Sequence, residues 1–231
     1  MSTLIKENFI HKESACTIIS DKSEAIEAAK EAISRNYLEL EFYVRANPKF
    51  LHTLTPIPAP NKPLVAKLMA EAAEKAGVGP MAAVAGAIAD LAVQEMLATG
   101  CRIAVVEDGG EISAIADQPV DVAVAAGEEP LSKRFGFRLT EFPIGVATSS
   151  GRFSHALSFG DAEAAIVFCK NAALADAAAT AIGNEVKGNV KEGIQSGLNK
   201  GLSINNVDGV LIIYKGEVGT AGRIPQIIKV T

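Results

Sequence analysis

The run Leu174-Ala175-Asp176-Ala177-Ala178-Ala179-Thr180-Ala181-Ile182 constrains the fold of this chain more than any other segment. Its small and aliphatic residues predict a helix buried on most sides. Two oxygen-bearing side chains interrupt it, Asp176 and Thr180. Four residues apart, they share one helix face, one turn from each other. A carboxylate and a hydroxyl held together in a dry, small-residue setting suit a hard cation such as Mg2+. The pair also satisfies a local reading, in which Thr180 bonds back to the carbonyl of residue 176 and Asp176 caps the helix near its first turn. On the residues alone both readings stand.

A helix so rich in alanine packs against neighbours at short interaxial distances, and the rest of the composition agrees. Apolar residues are 48% of the chain while aromatics are 5% and Trp is absent. Such surfaces suit a homodimer interface and a core equally well. The 231 residues are enough for one large domain or two small ones, burying roughly 70–75% of the unfolded surface. The net charge of −5 argues against general binding to nucleic acid or a membrane surface. No charge-free run of about 18 apolar residues predicts a membrane span, and Met1–Glu7 carries no signal-peptide core. Cys16, Cys101 and Cys169 lie far apart without metal-ligand spacing, which fits a reducing cytoplasm. The expectation is a cytoplasmic protein with a small-molecule ligand.

Periodicity divides the chain into blocks. Cys16–Ile19 predicts a strand, followed by a helix capped by Asp21 or Ser23 and running through Ala32, then a second helical stretch from Asn36 to Ala46. The prolines of residues 55–60 mark a connection. Pro63–Ala76 is amphipathic and closed by Gly77, and Met81–Ala98 is apolar nearly all round at its start. Strands are expected at 102–106 and 112–115, joined as a hairpin by Asp108-Gly109-Gly110, and again at 120–126, 135–139, 144–148 and 164–169. Helix returns from Asn171 to about Ser196, and 207–214 with 223–230 predict a closing hairpin. Blocks of helix beside blocks of antiparallel strand, without regular βαβ alternation, indicate an α+β fold with an antiparallel sheet flanked by helices, packed as a single domain over 1–231.

Two loops concentrate polar chemistry. In Glu107-Asp108-Gly109-Gly110-Glu111 the glycines let backbone amides approach a phosphate or ring, and Glu111 can receive a ribose or a metal; a hairpin turn needs the same Asp-Gly pair for its own dihedrals. Thr148-Ser149-Ser150-Gly151-Arg152 offers three hydroxyls, backbone amides and a guanidinium to a phosphate, with His155 nearby as an acid or base. A Ser-rich turn with a surface His is the plain alternative. No third carboxylate at suitable spacing orients a Ser/His nucleophile. Cys101 and Cys169, at strand ends, resemble buried small residues rather than nucleophiles.

Taken in order, these segments resemble the ApbE-like family, whose founding members are Mg2+-dependent FAD:protein FMN transferases. Gly86 and Asp90 match the glycine and aspartate of the family's KGYAVD helix, and Gly109-Gly110-Glu111 matches its GGD turn at the same spacing. Thr148-Ser149-Ser150-Gly151 is similar to its TSG loop. Asp176 and Thr180 match the DALAT segment, whose aspartate and threonine bind magnesium in that family. The resemblance implies an ApbE-like, T-fold-related architecture, Mg2+ on Asp176 and Thr180, and FAD or another nucleotide as cofactor. It also implies phosphate contacts from Thr148, Ser149, Ser150, Gly151 and Arg152, and a catalytic His155. The chain departs from the transferases at Ala85, where they carry the lysine of KGYAVD. It departs again at Glu111 in place of aspartate, and after His155, where Ala156-Leu157-Ser158-Phe159-Gly160 replaces HIIDPRTG. The fuller pattern resembles a shorter ApbE-related branch of bacteria and archaea linked to sulfur assimilation in anaerobes. The resemblance therefore implies either retained flavin or phosphoryl transfer, a binding protein that lost it, or an enzyme of sulfur assimilation that kept only the fold.

Overall fold

The computed structural model describes residues 4–12, 14–123, 135–149 and 160–229. Among the described residues the chain opens with β1 (Ile5–His11) and β2 (Ser14–Ser20), and continues through β3 (Ile103–Asp108) and β4 (Glu111–Ala116). Then come β5 (Val120–Ala123), β6 (Phe135–Leu139), β7 (Ile144–Ser149) and β8 (Ala164–Cys169), and the chain closes with β9 (Val207–Tyr214), β10 (Glu217–Gly222) and β11 (Gln226–Lys229). Eight of these form one antiparallel sheet in the order β1-β2-β3-β4-β7-β8-β9-β10, and a smaller sheet runs β11-β6-β5. The helices are α1 (Ser23–Ala46), α2 (Pro48–His52), α3 (Leu64–Ala76), α4 (Val84–Ala98), α5 (Ala172–Glu185) and α6 (Val190–Ser203).

The central strands carry apolar residues on both faces, and such strands need cover on both. Ile103, Val105, Ile166 and Phe168 pack with Phe137 and Leu139 of the small sheet. Their alternate neighbours Ala104, Val106, Ala165 and Val167 belong to a second core built by the helices. Alanines make that helical layer dense: Ala25, Ala29 and Ala32 of α1, Ala87, Ala89 and Ala92 of α4, and Ala177, Ala178 and Ala179 of α5 are all fully or almost fully buried. The fold is α+β, as its block pattern predicts. Pro80–Ala98 is long and apolar enough, by length and composition, to cross a membrane; half of it is buried inside this protein.

Several boundaries differ from the sequence expectation, each for a local reason. The helices expected at 23–32 and 36–46 are one helix, α1, because the polar step at Asn36 turns inward: its side-chain amide donates to the Ala32 carbonyl at 2.8 Å, and the residue is 5% exposed. Neither Asp21 nor Ser23 caps α1. The cap position is Lys22, and the Asp21 carboxylate instead accepts from the backbone N–H groups of Arg102 and Ile103. The apolar stretch from Met81 begins as a 3-10 turn over Pro80–Ala83 before α4 starts. Residues 171–196 hold two helices, separated by a turn and restarted at the Asn189 cap. The closing hairpin pairs β9 with β10, while β11 crosses to pair with β6. Gly77 ends α3 as expected, with φ of 79°.

Candidate functional site

The site is built on α5. From Ala172 to Gly183 that helix is buried except at Asp176 and Thr180, and Asn184 is again partly exposed. The three lie at i, i+4 and i+8, a single polar stripe emerging from an otherwise dry helix. Asn184 is the member that sequence reasoning missed; its spacing is the signal that could have found it.

Asp176 does not cap its own helix. Asn171 does, accepting from the Leu174 N–H at 2.9 Å. The Asp176 carboxylate reaches across to α4 and accepts from the Gly86 N–H at 3.0 Å, where the Ala83 cap position has no side-chain oxygen of its own. Asp90 of α4 returns the contact. It accepts from Ala172 N–H at 2.9 Å and Ala173 N–H at 3.0 Å, and from the Ser113 hydroxyl at 2.7 Å. Two antiparallel helices thus cap each other's N-termini with aspartates, satisfying amides that have no intrahelical partner. Gly86 permits this closeness: a Cβ there would lie 2.3 Å from the Ala172 carbonyl oxygen.

Glu111 completes the acidic side. Strand alternation puts Glu111, with Ser113 and Ile115, on the helix-facing side of β4. Gly109 and Gly110 form the preceding turn, both with positive φ as a two-residue primed turn requires, and the Gly110 N–H donates to Glu107. Burial, then the neighbouring charges of Asp176, Asp108 and Glu107, hold the Glu111 carboxyl well above the usual range. Asp176 is pushed up to about 7, chiefly by burial, against the lowering effect of the Gly86 N–H. Burial likewise raises Asp90 despite its three donors.

Beside this pair lies a network with no counterpart in the sequence expectations. Asp108, 2% exposed, accepts from the Tyr37 hydroxyl at 3.1 Å and is further bonded by Cys16 and Ser14. Tyr37 also bonds Ser14 and stacks on His11, whose buried Nε2 has no hydrogen-bond partner among the described residues. Tyr37→Phe should cost about 1–2 kcal/mol, because it strips a neutral donor from a buried acceptor and leaves the packing. A lowered midpoint in urea at unchanged slope would register it.

The structure places Asp176 near enough to Glu111 to act on its carboxyl, Thr180 one turn further along α5, and Ser149 on the helix-facing side of β7 with Ala147. It does not bring Thr148 to them, since alternation turns that residue to the opposite face of the sheet. Ser150, Gly151, Arg152 and His155 lie outside the described residues. Among the described residues no three His, Cys, Asp or Glu side chains cluster as a metal centre, so a cation here needs hydroxyl, backbone or ligand oxygens as well. All three cysteines are buried, and burial pushes Cys169 up to about 12 and raises Cys16 further. Neither of these two supplies thiolate at neutral pH.

A protein-family model described as AbpE bacteria matches residues 6–208. The chain is 41% identical over 228 residues to a UPF0280 protein of Methanosarcina acetivorans, covering 97% of this chain and 89% of that one. It is 38% identical over 231 residues to a UPF0280 protein of Methanococcus vannielii, covering 98% and 94%. Its fold is similar to the crystal structure of the ApbE protein of Thermotoga maritima, with a TM-score of 0.64 at 13% identity over 94% of this chain and 96% of that one. It is similar also to the apo form of the flavinyl transferase ApbE of Pseudomonas stutzeri, with a TM-score of 0.63 at 14% identity and 95% of each chain covered.

Proposed function

The chain belongs to the AbpE bacteria family, and from that premise we propose that it binds the pyrophosphate of FAD or another nucleotide through Mg2+. The observation that carries this reading is the polar stripe of α5, which emerges beside Glu111 and the N-terminus of α4. Glu111 is held in a raised protonation state partly by Asp176, and the charge of a divalent cation would relieve that repulsion. The donor set is all oxygen, so it fits a hard ion. Asp176, Thr180 and Glu111 would hold the metal.

Bound there, Mg2+ would neutralise a pyrophosphate and stabilise the charge that develops on attack at phosphorus. The chain's own groups do the rest. Ser149 offers its hydroxyl to a phosphate oxygen from the same face of the sheet. At Gly110 a Cβ would meet nothing within 4 Å among the described residues, which leaves the turn room for a ligand. Arg152 and Ser150, outside the described residues, would serve the phosphate, and His155 a proton, on the family resemblance. The Pseudomonas stutzeri protein of similar fold is a flavinyl transferase, which makes FAD the first nucleotide to test.

A second reading keeps the binding and drops the transfer. Ala85 favours it, since the position that carries the transferases' lysine holds a methyl group whose backbone N–H faces Asp176. The buried cysteines give no support to sulfur chemistry at a thiol of this chain.

Incubation of the purified protein with FAD, with and without Mg2+, separates these outcomes when FMN and AMP are followed by chromatography. Magnesium-dependent appearance of FMN and AMP means transfer or hydrolysis. Magnesium-dependent retention of intact FAD means binding alone. Indifference to the metal in both measurements would sink the proposal.

A further inference from the structure

At the other end of β4 and β7, α3, α4 and the start of α5 enclose a cavity of about 370 Å3. It meets the Asp176 site at Asp90 and Ser113, and strand register carries it away from there. Ile112 pairs with Val146 and Ala114 with Ile144, so Ile115 and Pro143, which line the cavity, lie at the end remote from Glu111 and Ser149. Leu68, Val93, Ile115 and Leu174 give it an apolar surface, beside the Asp90 carboxylate and the Ser113 hydroxyl. At its mouth stand Lys75, from the last turn of α3, and Lys170, from the turn between β8 and α5, both exposed.

The lining holds two lysines and two carboxylates, Glu71 and Asp90, but Asp90 is already engaged by the Ala172 and Ala173 amides and the Ser113 hydroxyl. Among the described residues neither lysine makes an ion pair, whereas the cavity's Glu71 faces Lys67 at 3.8 Å. A neighbouring cavity of similar volume shares Pro143 and Lys170, but its Arg223 is already paired with Glu141 at 2.7 Å and lies 3.5 Å from Asp208. An apolar surface beside two unpaired cations is the arrangement of a site for an amphipathic anion.

We propose that this cavity binds a small organic monocarboxylate, with its carboxylate at Lys75 and Lys170 and its apolar body on Leu68, Val93, Ile115 and Leu174. Phosphate fits less well. The α5 amides that could grip it already have acceptors, Asp90 for Ala172 and Ala173 and Asn171 for Leu174. The Asp90 carboxylate in the wall also repels a dianion more than a monoanion.

The test uses 4-phenylbutyrate, its neutral amide 4-phenylbutanamide, and inorganic phosphate, followed by amide chemical shifts and calorimetry on the whole chain. The acid should bind saturably and move the signals of Gln94, Ala173 and Leu174. The neutral amide, and the acid against the Lys75→Gln/Lys170→Gln double variant, should bind at least tenfold more weakly, and phosphate should leave those signals in place. Both lysines are exposed, so the double variant retains the fold. Absence of saturable shifts, equal affinity for acid and amide, an unchanged double variant, phosphate binding as tightly as the acid, or displacement by FAD would each overturn the proposal.

Discussion

Asp176→Asn should weaken the magnesium-dependent part of FAD binding about 100-fold or more while the protein stays folded. The substitution separates two roles that one carboxylate combines. Asparagine keeps a carbonyl oxygen that can accept from the Gly86 N–H, so the cap on α4 survives. It removes the charge, and a neutral amide oxygen is a poor substitute for a carboxylate on a hard cation. Asp176→Ala removes both and should be less stable than Asp176→Asn by about 1 kcal/mol. Magnesium titration in the presence of FAD, read beside urea denaturation of both variants, gives the two effects separately. Full metal-dependent binding in Asp176→Asn would make this residue a helix cap and nothing more.

The same carboxylate sets a pH dependence. A carboxyl whose folded pKa is raised contributes stability that is complete below its unfolded pKa and is lost as pH rises through the folded value. Asp176, at about 7, and Glu111, Asp90 and Asp108, also raised, all act in this sense. Asp21, Glu41 and Asp121 are lowered and act oppositely, but only in more acidic solution. The metal-free protein should therefore gain thermal stability as pH falls from 8 through 7 toward 5. Added Mg2+ should stabilise it most above pH 7, where Asp176 is ionised, and progressively less below.

The layering was legible in the sequence because it rests on periodicity. Continuous apolar runs at 103–106 and 164–169 need two covered faces, and the alanine repeats of α4 and α5 need close neighbours. The Asp176–Thr180 stripe was legible for the same reason, since spacing alone puts both on one face. What was not legible depends on contacts distant in sequence. Asp90 and Asp176 look alike on paper, each an aspartate inside an alanine-rich helix. Only the antiparallel approach of α4 and α5 shows that each caps the other helix. Asp108 looked like a turn residue, and nothing near it in sequence announces Tyr37, 71 residues earlier, as its donor. Asn36 misled because a polar residue normally marks an exposed face, whereas its amide bonds back into its own helix.

Gly86→Ala should destabilise the protein by about 3 kcal/mol, although alanine is the better helix former by about 1 kcal/mol. The added methyl would sit 2.3 Å from the Ala172 carbonyl oxygen and 2.8 Å from the Ala173 nitrogen. Both are backbone atoms, so no rotamer change relieves the clash, and α4 must move away from α5. That movement stretches the Gly86–Asp176 bond and the two bonds from Asp90 to Ala172 and Ala173 together. Stability and magnesium-dependent binding should therefore fall together, in contrast to Asp176→Asn, where only binding falls. Urea denaturation checks the first and magnesium titration with FAD the second. A Gly86→Ala protein as stable as the parent would mean that α4 and α5 do not meet as closely as their reciprocal caps require. Loss of stability with binding intact would place the ligand away from the junction of the two helices.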